Sequence, residues 1–302
     1  MNRILIAGGT GFVGKVLSAS LAQQGYTIHI LTRNTDLTDT EQVKYFHWNP
    51  DRDELDVRSL EGVDTLINLS GTGIGDSRWT TRRKKEIIDS RVKPLDLLYR
   101  YIETNRYPVH TLISSSAVGY YGAVTTATYY TEEYHAGYDF LAEVCQKWEE
   151  KALQFEKLGI RTLILRKGVV IGPEGGIYRK LAPLARRGIN TAVGNGKQFV
   201  PWIDLRDLCR LYIHLLHQPE IKGIYNAVAS ESATMNEFSA TLLSSFGKKS
   251  FMPNVPAFLI DLLYGEMSIM LLYGSRISNL KLKETGFTFE YDSLKESLDS
   301  MK

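Results

Sequence analysis

The stretch Arg3-Ile4-Leu5-Ile6-Ala7-Gly8-Gly9-Thr10-Gly11-Phe12-Val13-Gly14 decides how the rest of the chain is read. An apolar run breaks into glycines, and a helix-period pattern follows at once. Gly9-x-Gly11-x-x-Gly14 has the spacing of a dinucleotide-binding turn, and Gly8 extends it. Glycines at these points allow a tight turn, close approach of backbone to a pyrophosphate and close packing of helix on strand. The helix N-terminus then presents unpaired N–H groups and a positive dipole end to the phosphates. Gly8, Gly9, Thr10, Gly11, Phe12, Val13 and Gly14 are therefore candidate cofactor-binding residues. Glycines alone say little; a strand pattern before them and a helix pattern after them supply the required context.

The second apolar run ends at Leu31-Thr32-Arg33. A ribose-binding acid is expected about 20 residues beyond the glycines of an NAD site. Arg33 stands there instead, and its planar fork suits a 2′-phosphate. Thr32 and Arg33 thus point to NADP(H) over NAD. Asp36 competes, since a folded-back loop brings it to the ribose, and a solvated loop charge is the plain alternative for Arg33.

Further out, apolar runs recur near 3–7, 26–32, 63–69, 109–114 and 160–166, with helical stretches near 12–24, 84–105 and 139–158. This alternation predicts βαβ units: an α/β, Rossmann-type, doubly wound parallel sheet. Gly25 and Gly159 sit where helix C-caps belong. After about 172 the order loosens, with helices near 205–217 and 235–246, a strand near 223–228, and Pro253 and Pro256 opening a last helical region. Residues 1–172 with parts of 200–228 form the expected NADP-binding domain. Residues 173–302 form a smaller C-terminal α/β substrate lobe with an extension from about 250. A cleft between the lobes is the expected place for a small-molecule substrate.

Composition narrows the classes. The 302 residues carry a net charge of +2, with 43% hydrophobic and 23% charged residues. That is an ordinary globule able to bury a core. It has no polyanion footprint, so no nucleic acid is expected. No apolar run reaches the roughly 18–20 residues of a membrane span, and no leader pattern opens the chain. Cys145 and Cys209 form no CxxC or disulfide framework, which suits a cytoplasmic location. The histidines show no metal spacing, and no metal is expected.

More motifs follow in order: Asn68-Leu69-Ser70-Gly71, Ser114-Ser115-Ser116-Ala117 and Arg166-Lys167-Gly168-Val169-Val170-Ile171-Gly172. With the glycine loop they resemble the extended short-chain dehydrogenase/reductase superfamily, in its NAD(P)-dependent epimerase/dehydratase group. Gly119-Tyr120-Tyr121-Gly122, Asp139-Phe140-Leu141 with Trp148-Glu149, Gly194-x-Gly196-x-Gln198 and Pro201-Trp202-Ile203 are similar to its atypical YfcH-like "epimerase family protein" branch. So are Pro256-Ala257-Phe258, Gly265-Glu266-Met267, Gly274-Ser275-Arg276 and Thr285-Gly286-Phe287, which match that branch's C-terminal extension. The resemblance implies cofactor contacts at Leu69, Ser70 and Gly71 after the fourth strand, at Ser114, at Glu86 and Arg91, and at Arg166 after the sixth strand. Glu86 and Arg91 also fit a solvated helix face. A homodimer is implied by superfamily analogy alone.

Members of the superfamily use a Tyr-x-x-x-Lys pair on one helix. The i, i+4 spacing places both side chains on one face, the ammonium lowers the phenol's pKa, and the phenol moves a proton as hydride is transferred. Here Glu149 matches the Glu that follows such a pair. Counting back puts Leu141 at the Tyr position and Cys145 at the Lys position, and neither can do that work. Cys145 instead reads as a small core residue on an apolar stripe. The Tyr291/Lys295 match lies in the tail and reads as chance. Ser116, matching the strand hydroxyl, and Tyr120 and Tyr121 behind it are the candidate catalytic residues. Each also fits a bland role, in capping or in packing. Tyr138 is a further phenol that would have to swing in. Asp204 reads as a helix N-cap, and Gln198, Trp202 and Arg206 as pocket residues. The expectation is an NADP(H)-dependent oxidoreductase or epimerase-like protein acting on a small polar carbonyl or sugar-like substrate. The alternative is a non-catalytic NADP(H)-binding sensor or assembly protein that has lost the pair.

Overall fold

The computed structural model describes residues 3–34 and 36–301. Its centre, among these residues, is an eight-stranded sheet. In chain order the strands are β1 (Arg3–Ala7), β2 (Thr27–Thr32), β3 (Val43–Asn49), β4 (Glu54–Leu55), β5 (Thr65–Asn68), β6 (Thr111–Ala117), β7 (Arg161–Lys167) and β8 (Gly223–Ala227). They lie in the order β8-β7-β6-β5-β1-β2-β3-β4. All neighbours are parallel except the β3–β4 pair at the edge. The winding reverses between β1 and β5, so a crevice opens above the carboxyl ends of those strands, where ligands of open α/β sheets bind.

Side-chain alternation builds a core on each face. Ile4, Ile6, Ile28 and Ile30 point to one side, against Leu17 and Leu21 of α1 (Phe12–Gln23) and Leu208, Leu211 and Leu215 of the helix Leu205–Leu216. Leu5, Ala7, Leu31 and Leu66 point to the other. There they meet Leu95, Leu98 and Ile102 of α2 (Thr81–Asn105) and Trp148 of α3 (Phe140–Leu153). Burial on both faces explains why these strands read as unbroken apolar runs. Gly25 and Gly159 adopt positive φ, +86° and +74°, at helix ends as expected.

The strand Val43–Asn49 is absent from the sequence expectation. It mixes aromatic and polar residues, and within it only Trp48 is buried. An edge strand of this kind lacks the apolar run that marks the central ones.

A third core gathers Tyr178, Trp202, Phe238, Leu242, Leu294 and Leu298. The chain then runs through α4 (Ala257–Tyr264), of which Ile260 is buried while Phe258, Leu262 and Leu263 are exposed. Arg78 donates to the Leu262 and Leu263 carbonyls, and Lys84 pairs with Glu266 at 2.6 Å, tying this extension to the start of α2. Met267 packs with Trp79 and Phe140 beneath it. Among the described residues no helix is long and apolar enough to cross a membrane.

Candidate functional site

The glycine loop lies at the β1 end of the crevice. Gly8 has φ +85°, and a Cβ there would stand 2.8 Å from the Leu69 carbonyl carbon. A Cβ on Gly14 would lie 2.3 Å from Gly8 O, so only glycine lets α1 start against the turn. Gly11 N–H donates to Gly8 O at 3.1 Å and closes that turn. Gly11 is also the N-cap of α1 and has no side chain to cap it. Its carbonyl accepts from Lys15, which leaves the first-turn amides of Phe12, Val13 and Gly14 without an acceptor among the described residues. Such amides at a helix start need an external acceptor, and a phosphate group fits them. The Phe12 and Val13 side chains serve packing instead. The Phe12 ring lies where a Cβ on Gly175 would come within 2.3 Å, and Val13 packs on the first core.

At the end of β2, Thr32 is buried and its hydroxyl accepts from Asn34 N–H at 3.0 Å. Arg33 is exposed, with no hydrogen bond or ion pair among the described residues. Asp36 is exposed too, and its backbone is held by the Asn34 side chain at 2.9 Å. Beside them a cleft of about 420 Å³ is lined by Gly9, Thr10, Lys15, Asn34 and Tyr45 among others. A free cation next to a glycine loop and an open cleft suits an anionic ribose substituent. At the end of β5, Ser70 is buried and donates to Asn68 Oδ1 at 2.5 Å. Gly71 has φ +150°, and a Cβ there would stand 3.1 Å from the Arg91 guanidinium carbon. Arg91 is buried, donates to the Ile87 and Thr72 carbonyls and lies over the Trp148 ring. Burial pulls its guanidinium down to about 10. It has no carboxylate partner among the described residues.

The β6–β7 end differs. Ser116 is fully buried and donates to Glu149 Oε1 at 2.6 Å. Arg166 grips the same carboxylate through two bonds of 2.8 Å. It also donates to the Tyr121 hydroxyl at 3.1 Å, which donates onward to Asn226 Oδ1 at 2.7 Å. The Tyr120 ring stacks on the guanidinium at 3.4 Å. Burial works against the Arg166 charge, yet the Glu149 bonds more than offset it and hold the group above its ordinary value. This corrects the expected place of Arg166: it lies within β7, not after it, and its donors are taken up by the protein. Tyr121 is likewise fixed in this network, and burial pushes its phenol up to about 12. Tyr120 is half-buried and its hydroxyl makes no hydrogen bond among the described residues. Leu141 and Cys145 flank Gly119, at 3.3 and 3.8 Å from a Cβ placed there. Cys145 is buried, as the core reading expects, and burial pushes its thiol up to about 12.

The remaining candidates separate. Ser114 is buried between strands and meets Asn68 Nδ2 at 3.3 Å. Glu86 pairs with Arg82 and Arg83 on the outer face of α2, the solvated-face alternative. Tyr138 is fully exposed. Gln198, Trp202 and Arg206 are structural rather than pocket groups. Gln198 donates to the Val193 and Leu271 carbonyls, Trp202 to the Glu231 carbonyl, and Arg206 pairs with Asp204. Asp204 caps its helix as expected, accepting from Arg206 N–H. Lys295 pairs with Asp299 one turn on in the same helix.

One residue escaped the sequence reading. Lys167 follows Arg166 at the C-terminal end of β7 and is half-buried, with no hydrogen bond or ion pair among the described residues. Burial, reinforced by the Arg91 charge, pulls its ammonium down to about 8. A charged pair ending the apolar strand Leu163-Ile164-Leu165 was the available signal.

Comparison with known proteins agrees with the family resemblance. The model of the "NAD dependent epimerase/dehydratase family" matches residues 4–227, and that of a domain of unknown function matches 255–301. An epimerase family protein of Mycobacterium bovis is 32% identical over 299 residues, covering 98% of this chain and 96% of the relative. One from Bacillus subtilis, YfhF, is 30% identical over 298 residues, covering 99% and 97%. Among solved structures, a human epimerase family protein, SDR39U1, crystallised with NADPH, is 28% identical with a TM-score of 0.86, covering 99% and 98%. A Thermus thermophilus UDP-glucose 4-epimerase in complex with NAD has a TM-score of 0.78 at 18% identity, covering 99% and 98%, a likeness of fold.

Proposed function

Because the chain belongs to the NAD dependent epimerase/dehydratase family, we propose that it is an NADP(H)-dependent oxidoreductase or epimerase-like protein acting on a small polar carbonyl or sugar-like substrate. The observation that carries this reading is the glycine loop, with three helix-start amides and a nearby Arg33 that have no partner among the described residues. The amides of Phe12, Val13 and Gly14 hold the pyrophosphate, and Arg33 takes the 2′-phosphate. Leu69, Ser70 and Gly71 line the path toward the reacting end, and Arg91 adds a cation beneath Gly71. Bound there, NADPH supplies a hydride. The chain's own groups then bind and orient the substrate in the cleft between the nucleotide-binding part and the C-terminal lobe. The Ser116 hydroxyl is held at the end of β6 by its hydrogen bond to Glu149. Tyr120 forms the wall over Arg166.

A second reading has its own observation. The Glu149–Arg166–Tyr121–Asn226 network uses up polar groups at the reacting end, which suits a cofactor-binding sensor or assembly protein without turnover. Calorimetric titration with NADPH, NADP+, NADH and NAD+ tests the shared premise. Tight binding of the 2′-phosphorylated pair is expected; binding of none of the four would overturn both readings. Turnover of some carbonyl by the NADPH-bound protein then separates enzyme from sensor.

A further inference from the structure

The reacting end lacks the phenol and ammonium that its helix would supply, yet it is not without a cation. Lys167 ends β7 in register with Ala117 of β6 on one side and Ala227 of β8 on the other. Its strand neighbour Arg166 is opposite Ser116 in the same register. From the glycine loop at the end of β1, the steps β1–β5, β5–β6 and β6–β7 carry one to Lys167. At about 4.8 Å per strand that is roughly 14 Å across the strand ends. A dinucleotide anchored by its pyrophosphate at the loop extends along this line. Arg91 of α2 reaches Gly71 past the end of β5, so two cations that have no carboxylate partner among the described residues flank the end of β6.

We propose that Lys167 is the proton donor of this site, placed on a strand end in compensation for the Leu141 and Cys145 positions of α3. The proposal rests on the oxidoreductase reading above. As the substrate's carbonyl carbon accepts a hydride with its electron pair, the carbonyl π pair moves to oxygen. That oxygen takes a proton from Lys167 Nζ: an N–H bond breaks, an O–H bond forms, and the neutral amine regains its proton from water. NADPH is the reductant and leaves as NADP+.

The surroundings suit this role. Burial, and after it the Arg91 charge from α2, favours loss of the ammonium's proton. From α3, Cys145 is held neutral by burial, and Glu149 is bound by both Arg166 and Ser116. Beyond Arg166, Tyr121 is held protonated. No carboxylate among the described residues pairs with Lys167, so nothing anchors its proton. Its value of about 8, lowered from 10.5, leaves it charged at neutral pH yet able to give the proton up.

The test does not depend on finding the substrate. Lysines of the full-length protein are ¹³C-dimethylated, and the Lys167 signal is assigned by its loss in Lys167→Arg, with Lys167→Met as a second assignment should that variant misfold. The apo protein should show a signal titrating near pH 8. The cationic ring of NADP+ should then lower this midpoint by roughly one pH unit relative to the complex with NADPH, whose ring is neutral; the rest of the two ligands is the same. A midpoint in the ordinary lysine range, or one identical in the two complexes, overturns the proposal. With any carbonyl that is turned over, reduction should fall as pH rises through 8. In Lys167→Arg that fall should vanish and the rate should drop at least about tenfold, at the low end of what a positioned proton donor contributes. Turnover unchanged in that variant also overturns the proposal while leaving the oxidoreductase reading intact. Failure to bind any nicotinamide nucleotide sinks that reading, and this proposal with it.

Discussion

The two ends of the crevice treat their polar groups in opposite ways. At the β1 end, backbone amides and Arg33 have no partners among the described residues, and glycines clear the space by the amides. At the β6–β7 end, Ser116, Glu149, Arg166, Tyr121 and Asn226 are bonded to one another and buried. Unmet amides at a helix start beside a crevice are groups that a phosphate would satisfy. A closed network stiffens the scaffold instead, while Lys167 and Tyr120 make no side-chain hydrogen bond among the described residues.

The sharpest way to break this comparison is to open the closed end. Glu149→Leu leaves the Arg166 charge buried without a carboxylate, which should cost about 3–5 kcal/mol in urea unfolding. Glu149→Leu with Arg166→Met should recover most of that loss. If the single variant unfolds like the parent, the network is not structural. Closing the open end is the converse. Gly14→Ala sets a Cβ 2.3 Å from Gly8 O and should weaken NADPH binding by roughly 5- to 150-fold in calorimetry, the equivalent of the about 1–3 kcal/mol that overpacking costs where neighbours shift. Arg33→Ala removes one charge-assisted contact. We expect about a 10- to 100-fold loss for NADPH with NADH unaffected; equal losses for both would place Arg33 elsewhere. The smallest effect concerns Cys145. With its thiol pushed up to about 12, iodoacetamide should leave it unlabelled at pH 7.5 until the protein is unfolded, and labelling of the native protein would show that α3 opens there.

What was legible in the sequence follows the same division. The places of the glycine turn and of Arg33 just past a strand end could be read because their geometry is local: turn, cap and strand end lie within a few residues of one another. The central strands could be read because burial on both faces leaves an unbroken apolar run. The strand Val43–Asn49 could not, since an edge strand need not be apolar on either face. The Glu149–Arg166 pair was also hidden. The two residues are far apart in sequence, and their meeting depends on how α3 lies against β7, which no spacing encodes. Gln198, Trp202 and Arg206 looked like pocket residues because they are polar or aromatic near glycines. In the fold their polar groups bond backbone carbonyls and Asp204.

The third core has a consequence for how the chain is made. Tyr178 and Trp202 are buried together with Leu294 and Leu298, the latter pair from the last described helix, Leu294–Asp299. Ser297 of that helix also donates to Asp204 at 2.7 Å. On the ribosome, at roughly 5–20 residues per second, the earlier residues emerge several seconds or more before their partners exist. The β1–β7 sheet can close in that interval. The later half must wait with apolar surface exposed, and it is there that a nascent chain of this protein would call for a chaperone.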